Sequence, residues 1–290
     1  SFFDGTAWTD LVPELGGSGA HRWSSTGPGE LHFCAGTFYV NLYPHHEVDV
    51  LGDTTDGPVI LDGSAVGSVA SWVSPNLHPT IRDVTLRNGN GATTSNSGRT
   101  GGGGIACVGP GSSVTVDGVT ADANIARYGA GMFLWDCDAD VVDSAFTNNV
   151  ADYSGGGIFA ENSTVELDRT IVDGGTATQF SGGGIYVTGG TFSVAPAEVY
   201  LSPTTLVVGG SATNGGAVYL NLGATGVCDS ALIADHTANS GAVHVAANTS
   251  WTNLNCNYAN NANADVFTAV GGSYTFFGPS DTVCTDVGCF

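Results

Sequence analysis

Lysine is absent from this chain, and methionine occurs once in its 290 residues. Six arginines against 27 acidic residues leave a formal net charge of −21. A polyanion is held by Lys and Arg that displace its counterions, so this balance excludes nucleic acid as a partner class. Anionic membrane surfaces are disfavoured on the same ground. An acidic surface without lysine suits high salt, where self-repulsion is screened. Charged residues make up only 11% of the chain, against roughly 25% in ordinary soluble domains. The 42% of hydrophobic residues still supply a long core and exclude disorder by low hydrophobicity. No run of 18 apolar residues exists, so no transmembrane helix is expected. Helical periodicity is missing as well, since no segment carries a useful i, i+3, i+4 stripe.

None of the seven cysteines stands in a C-x-x-C pair, which excludes zinc ribbons and thioredoxin-like redox sites. Cys284 and Cys289 lie close together in the tail and are expected to close a small loop, fitting an oxidising compartment. Cys107 with Cys137, and Cys228 with Cys256, are each about one repeat apart but out of phase by three residues. On a straight strand three residues span about 10 Å, too far for a disulfide, so neither pair is expected to form.

Glycine is abundant, at 44 residues, and it is arranged. A run of small residues ends in an aliphatic anchor at Ile105, Met132, Ile158, Ile185, Val218 and Val243, with steps of 27, 26, 27, 33 and 25 residues. The long step contains Pro196 and Pro203 and reads as an insertion. A second column places Asp after a short β-branched run at Asp83, Asp117, Asp143, Asp168 and Asp229, with Asn255 next. A third reads Asn124-x-Ala126, Asn149-x-Ala151, Gly175-x-Ala177, Gly210-x-Ala212 and His236-x-Ala238. Within each repeat the alternation has period two, so the segments are short strands between Gly, Asn, Asp and Ser turns. Such a repeat fits one coil of about three strands, with coils stacking at about 4.8 Å. The expected fold class is all-β, a right-handed parallel β-helix over residues 31–265. Residues 1–30 and 266–290 are expected to cap it. A propeller is excluded because its blades need about 40 residues.

The Gly-Gly-aliphatic runs, with Phe146-x-x-Asn149, resemble the GG[AIL] and FxxN repeats of polymorphic outer-membrane-protein β-helices. More broadly, the chain resembles bacterial surface proteins of the pectin-lyase-like superfamily. The resemblance implies a secreted or cell-surface location. That superfamily holds lyases, hydrolases, adhesins and phage spikes, so fold alone does not choose among them. Hydrolases on this fold use N-T-D, D-D, H-G and R-I-K motifs, and lyases an Arg or Lys base. The four motifs are absent here and the six Arg are scattered. No catalytic residue is therefore assigned.

Two candidate sites remain. Asp136, Asp138, Asp140 and Asp143 form the densest acidic cluster, and calcium is the cation such oxygens would hold. Otherwise no cofactor is implied. The alternation also points Phe133, Phe159, Tyr186, Tyr219 and His244 outward in register, with Trp135 on the same face. An exposed aromatic ladder of that kind marks an interface or a carbohydrate surface, unless a loop such as 92–100 or 195–205 covers it. The favoured expectation is a non-enzymatic extracellular structural β-helix. It would assemble with copies of itself into a filament or layer, or adhere to other surface proteins. A polysaccharide-binding or polysaccharide-degrading β-helix is the alternative.

Overall fold

The computed structural model describes residues 1–10, 21–91, 100–190 and 197–277, and the backbone of 283–285 and 288–289. Among these residues there is no α-helix, and the chain is an all-β parallel β-helix. Each regular coil contributes three strands, which stack on those of the neighbouring coils in three ladders. The first ladder runs from Ala70–Val73 through residues 105–108, 132–135, Ile158–Glu161, Ile185–Thr188, Val218–Asn221, Val243–Val245 and Val266–Thr268. The second begins at Gly29–Phe33 and Val48–Gly52 and passes through Thr164–Asp168 to Ser273–Phe277. The third includes Val59–Asp62, Thr85–Arg87, Ala145–Thr147 and Leu232–Ala234. At the N-terminal end Phe2–Phe3 lies antiparallel on Gly29–Phe33.

Alternation places the core. Ile105, Met132, Ile158, Ile185, Val218 and Val243 are successive register partners and are all fully buried. Two residues on, Cys107, Leu134, Ala160, Val187, Leu220 and Val245 are fully buried too. The glycine runs before the anchors follow from crowding between coils. A Cβ on Gly157 would stand 2.7 Å from the carbonyl oxygen of Gly184 in the next coil, closer than a carbon can sit.

Corners form where one residue takes the left-handed conformation, which Asn, Asp and Gly reach at least cost. Between the first and second ladders the left-handed residues include Asn76, Gly111, Asp136, Asn162, Leu222 and Asn248. Between the second and third they include Asp83, Gly118, Asp143, Arg169, Thr204, Ser230 and Asn255. The expected single Asp column is thus two adjacent ones. Asp83, Asp143 and Asn255 occupy the corner itself, whereas Asp117, Asp168 and Asp229 end the preceding strands, where Asp117 and Asp168 both pair with Val142. The one-residue offset sets Arg169, rather than a further carboxylate, against Asp143 at the corner. Arg169 directs its guanidinium onto Asp143 of the previous coil, with Nε–Oδ1 2.7 Å and Nη2–Oδ2 3.0 Å, and also bonds Asp168.

The corners also overturn the cysteine expectation. Cys107 is bonded to Cys137 and Cys228 to Cys256, with Cα separations of 5.9 and 6.0 Å. Cys107 aligns with Leu134, three residues before Cys137, and Cys228 aligns with Asn253, three residues before Cys256. In both cases a left-handed corner residue, Asp136 or Asn255, lies between. The bend returns the third residue toward the core, so the 10 Å estimate for a straight strand does not apply. The three-residue offset is the signature of a disulfide that crosses one corner and one coil. Cys34 is a free, exposed thiol. Cys284 and Cys289 are antiparallel backbone partners, but their side chains lie outside the described residues.

At Asn124 and Asn149 the third column is an internal amide ladder. Asn124 and Asn149 are fully buried. The Asn149 carboxamide oxygen accepts from the backbone N–H of Asn124 at 3.0 Å and from its Nδ2 at 3.1 Å, while Asn149 Nδ2 donates to Ala121 O at 2.9 Å. Each rung satisfies backbone groups that leave the third ladder at the next corner, as buried polar groups require.

Candidate functional site: an aromatic groove on the first ladder

The outward column of the first ladder reads Ala106, Phe133, Phe159, Tyr186, Tyr219, His244 and Phe267, each the register partner of the next. Ring centroids from Phe133 to His244 are 5.4, 5.2, 5.2 and 4.5 Å apart. The ladder read from the sequence is therefore present, rung for rung.

Its exposure differs from the expectation. Phe133 and Phe159 are buried, at 2% and 1% exposure, and His244 is buried as well. Tyr186, Tyr219 and Phe267 remain partly exposed. The cover comes from the segment that returns each coil to its glycine run. Ile125–Tyr128, Val150–Ser154 and Thr176–Ala177 form a short parallel sheet of their own, and beside it the rings of Tyr128, Tyr153 and Phe180 build a second stack. Tyr153 lies 5.5 Å from Tyr128 and 5.0 Å from Phe180, and Tyr128 packs on Phe159 at 5.0 Å. The Arg127 guanidinium sits over the Tyr153 ring at 4.3 Å. On Phe133 the cover is backbone: a Cβ added to Gly101 would come within 2.3 Å of its ring. Of the two loops expected to cover the stripe, residues 92–99 and 195–196 lie outside the described residues, while Glu198–Leu201 is a strand of the second ladder.

Between the two stacks runs a groove of about 450 Å³. Phe159, Tyr186 and Tyr219 form its floor, and Tyr128, Tyr153 and half-exposed Phe180 form one wall. A second row of first-ladder residues, Glu161, Thr188 and Asn221, is aligned in register and lines the groove alongside them. Trp135 precedes them in that row as the partner of Glu161. Asn221 Nδ2 donates to the Tyr186 hydroxyl at 3.0 Å. Burial pushes the Tyr219 phenol above its ordinary pKa. The lining is mixed, with ring edges, phenol hydroxyls, one amide, one threonine and one carboxylate.

The four acidic candidates do not converge. Asp136 accepts from Asn162 Nδ2 at 3.0 Å, Asp138 accepts from the backbone of Thr164 at 2.7 Å, and Asp143 is taken by Arg169, which holds its carboxyl below the usual range. Among the described residues no group of three or more His, Cys, Asp or Glu is arranged to hold a metal ion.

Sequence reasoning missed Tyr128, Tyr153, Phe180, Glu161 and Asn221. A signal existed for the first three, which lie four or five residues before Met132, Ile158 and Ile185. No family model, curated protein or solved structure matches this chain. The reading of the groove therefore rests on its own chemistry.

Proposed function

We propose that this chain is a non-enzymatic extracellular β-helix that binds a neutral saccharide in the aromatic groove, acting as an adhesin-type surface module. The observation that carries this reading is a groove whose aromatic floor and wall are combined with phenol hydroxyl, threonine, amide and carboxylate groups. A pyranose offers hydroxyls that complement those donors and acceptors, while its less polar parts displace water from the rings between them. A net charge of −21 and a carboxylate in the lining disfavour polyuronates and sulfated glycans.

Binding is favoured over hydrolysis because glycosidases require two carboxyl groups about 5–10 Å apart, and Glu161 is the one carboxylate among the lining residues. The two buried disulfides support an oxidising location, as does the likeness of the repeats to those of surface β-helices. Assembly through an open aromatic stripe loses support, since Phe133 and Phe159 are covered.

Affinity electrophoresis in gels containing neutral polysaccharides tests the proposal. Retardation is expected with at least one of them, and Tyr186→Ala together with Phe180→Ala should abolish it. Folded protein that is retarded by none, or that releases reducing ends or unsaturated products, would overturn the reading.

A further inference from the structure

The buried ladder of the third column contains one rung that can titrate. Successive positions are Gly89, Asn124, Asn149, Gly175, Gly210, His236 and Asn261, linked from coil to coil by backbone bonds at the neighbouring residues. Each Asn makes the same two contacts. Its carboxamide oxygen accepts the backbone N–H of the equivalent residue one coil earlier. Its Nδ2 donates to a third-ladder carbonyl: Leu86 for Asn124, Ala121 for Asn149 and Ile233 for Asn261. His236 makes both contacts with an imidazole. Nδ1 meets the backbone N–H of Gly210 at 3.0 Å, and Nε2 meets the carbonyl of Val207 at 2.8 Å.

The partners dictate the protonation state. Gly210 N–H can only donate, so Nδ1 must carry a lone pair; Val207 O can only accept, so Nε2 must carry the hydrogen. The ring is 1% exposed. Space for it comes from glycine, since a Cβ on Gly210 would stand 2.9 Å from Nδ1 and one on Gly216 would stand 2.9 Å from His236 Cβ. A second proton, on Nδ1, would point at the Gly210 N–H and leave that donor without an acceptor. The charged groups nearby do not reverse this. Asp235, on the same segment, acts through space to favour the charged ring, as does the backbone of Gly216, but burial outweighs them; Asp265 of the next coil is bonded to Asn261 Nδ2 at 3.1 Å.

We propose that His236 is an acid-sensitive latch, holding the coils from Gly210 onward closed while its ring is neutral and releasing them locally when it is protonated. The release stays local because a solenoid coil is held only by its neighbours. Gly216 leads directly into Val218–Asn221, which carries Tyr219 and Asn221 of the groove, so the latch lies under one end of that site. Burial holds the ring below its ordinary pKa. The sign follows: stability from the neutral rung is complete above the unfolded histidine value of about 6.5 and is lost progressively as pH falls below it.

Hydrogen exchange of the intact protein, corrected for intrinsic rates and followed between pH 7 and 5, tests this. Opening of peptides from 206–245 should rise about tenfold per pH unit below 6.5, while peptides from 105–168 stay flat. His236→Asn, which restores the residue of the other rungs, should flatten the first set. An equal acid response in both regions, or one that persists in H236N, would overturn the proposal. If H236N fails to fold, nitrogen NMR of the wild-type imidazole decides. A ring still neutral at Nδ1 near pH 6 supports the latch, and one that titrates at 6.5 with the coils closed refutes it.

Discussion

Replacing Asn149 by alanine would test the amide ladder most directly. The side chain is fully buried and makes three hydrogen bonds. Its removal strands the backbone N–H of Asn124, one hydrogen of Asn124 Nδ2 and an acceptor site on the Ala121 carbonyl. Each buried polar group left without a partner costs roughly 1–3 kcal/mol. Three of them, with partial relaxation, set a loss of at least about 3 kcal/mol. Thr147→Ala is the matched control. It lies two residues away and removes one part-buried bond, from Thr147 Oγ1 to Asp122 Oδ1 at 2.6 Å, for about 0.5–1.5 kcal/mol. Urea unfolding at neutral pH gives both values from the midpoint and slope. A loss under about 1 kcal/mol for Asn149→Ala, with an unchanged slope, would refute the view that the ladder holds the corner.

Further expectations follow from the other features. Loop-closure entropy for disulfides spanning 30 and 28 residues predicts that Cys107→Ala/Cys137→Ala and Cys228→Ala/Cys256→Ala each cost about 3.6 kcal/mol, read by urea midpoint; a loss below 1 kcal/mol would show that the corners hold without them. Gly101→Ala drives a methyl to 2.3 Å from the Phe133 ring and should cost about 1–3 kcal/mol as overpacking, visible in thermal unfolding. Chelation with EDTA should leave the unfolding temperature unchanged, because Asp136, Asp138 and Asp143 are engaged by protein donors. A fall of several degrees would reveal a bound cation.

Periodicity made most of the fold legible. The six aliphatic anchors fall in register because coils of nearly constant length return each residue to the same place, and period two then assigns inside and outside. The same rule placed Phe133 through His244 in one stack. What the sequence did not convey is curvature. A strand read as straight puts Cys107 and Cys137 out of reach, whereas one left-handed residue at Asp136 brings them to 5.9 Å. Curvature also splits the Asp column into corner and strand-end positions. The covering of Phe159 depends on where the returning segment lies in space, and nothing in the alternation of the first ladder encodes that.

The recurrence of the glycine–aliphatic boundary bears on how such a chain changes length. Gly157 and Gly184 occupy equivalent places, and each precedes an anchor in the same ladder. Duplicating residues 158–184 would therefore create a junction, Gly184 followed by Ile158, of the kind the chain already contains. Growth or loss would proceed in whole steps of about 4.8 Å, each adding or removing one ring of the aromatic stack. The heritable unit of this protein is the coil, and the reach of its groove can be counted in copies of it.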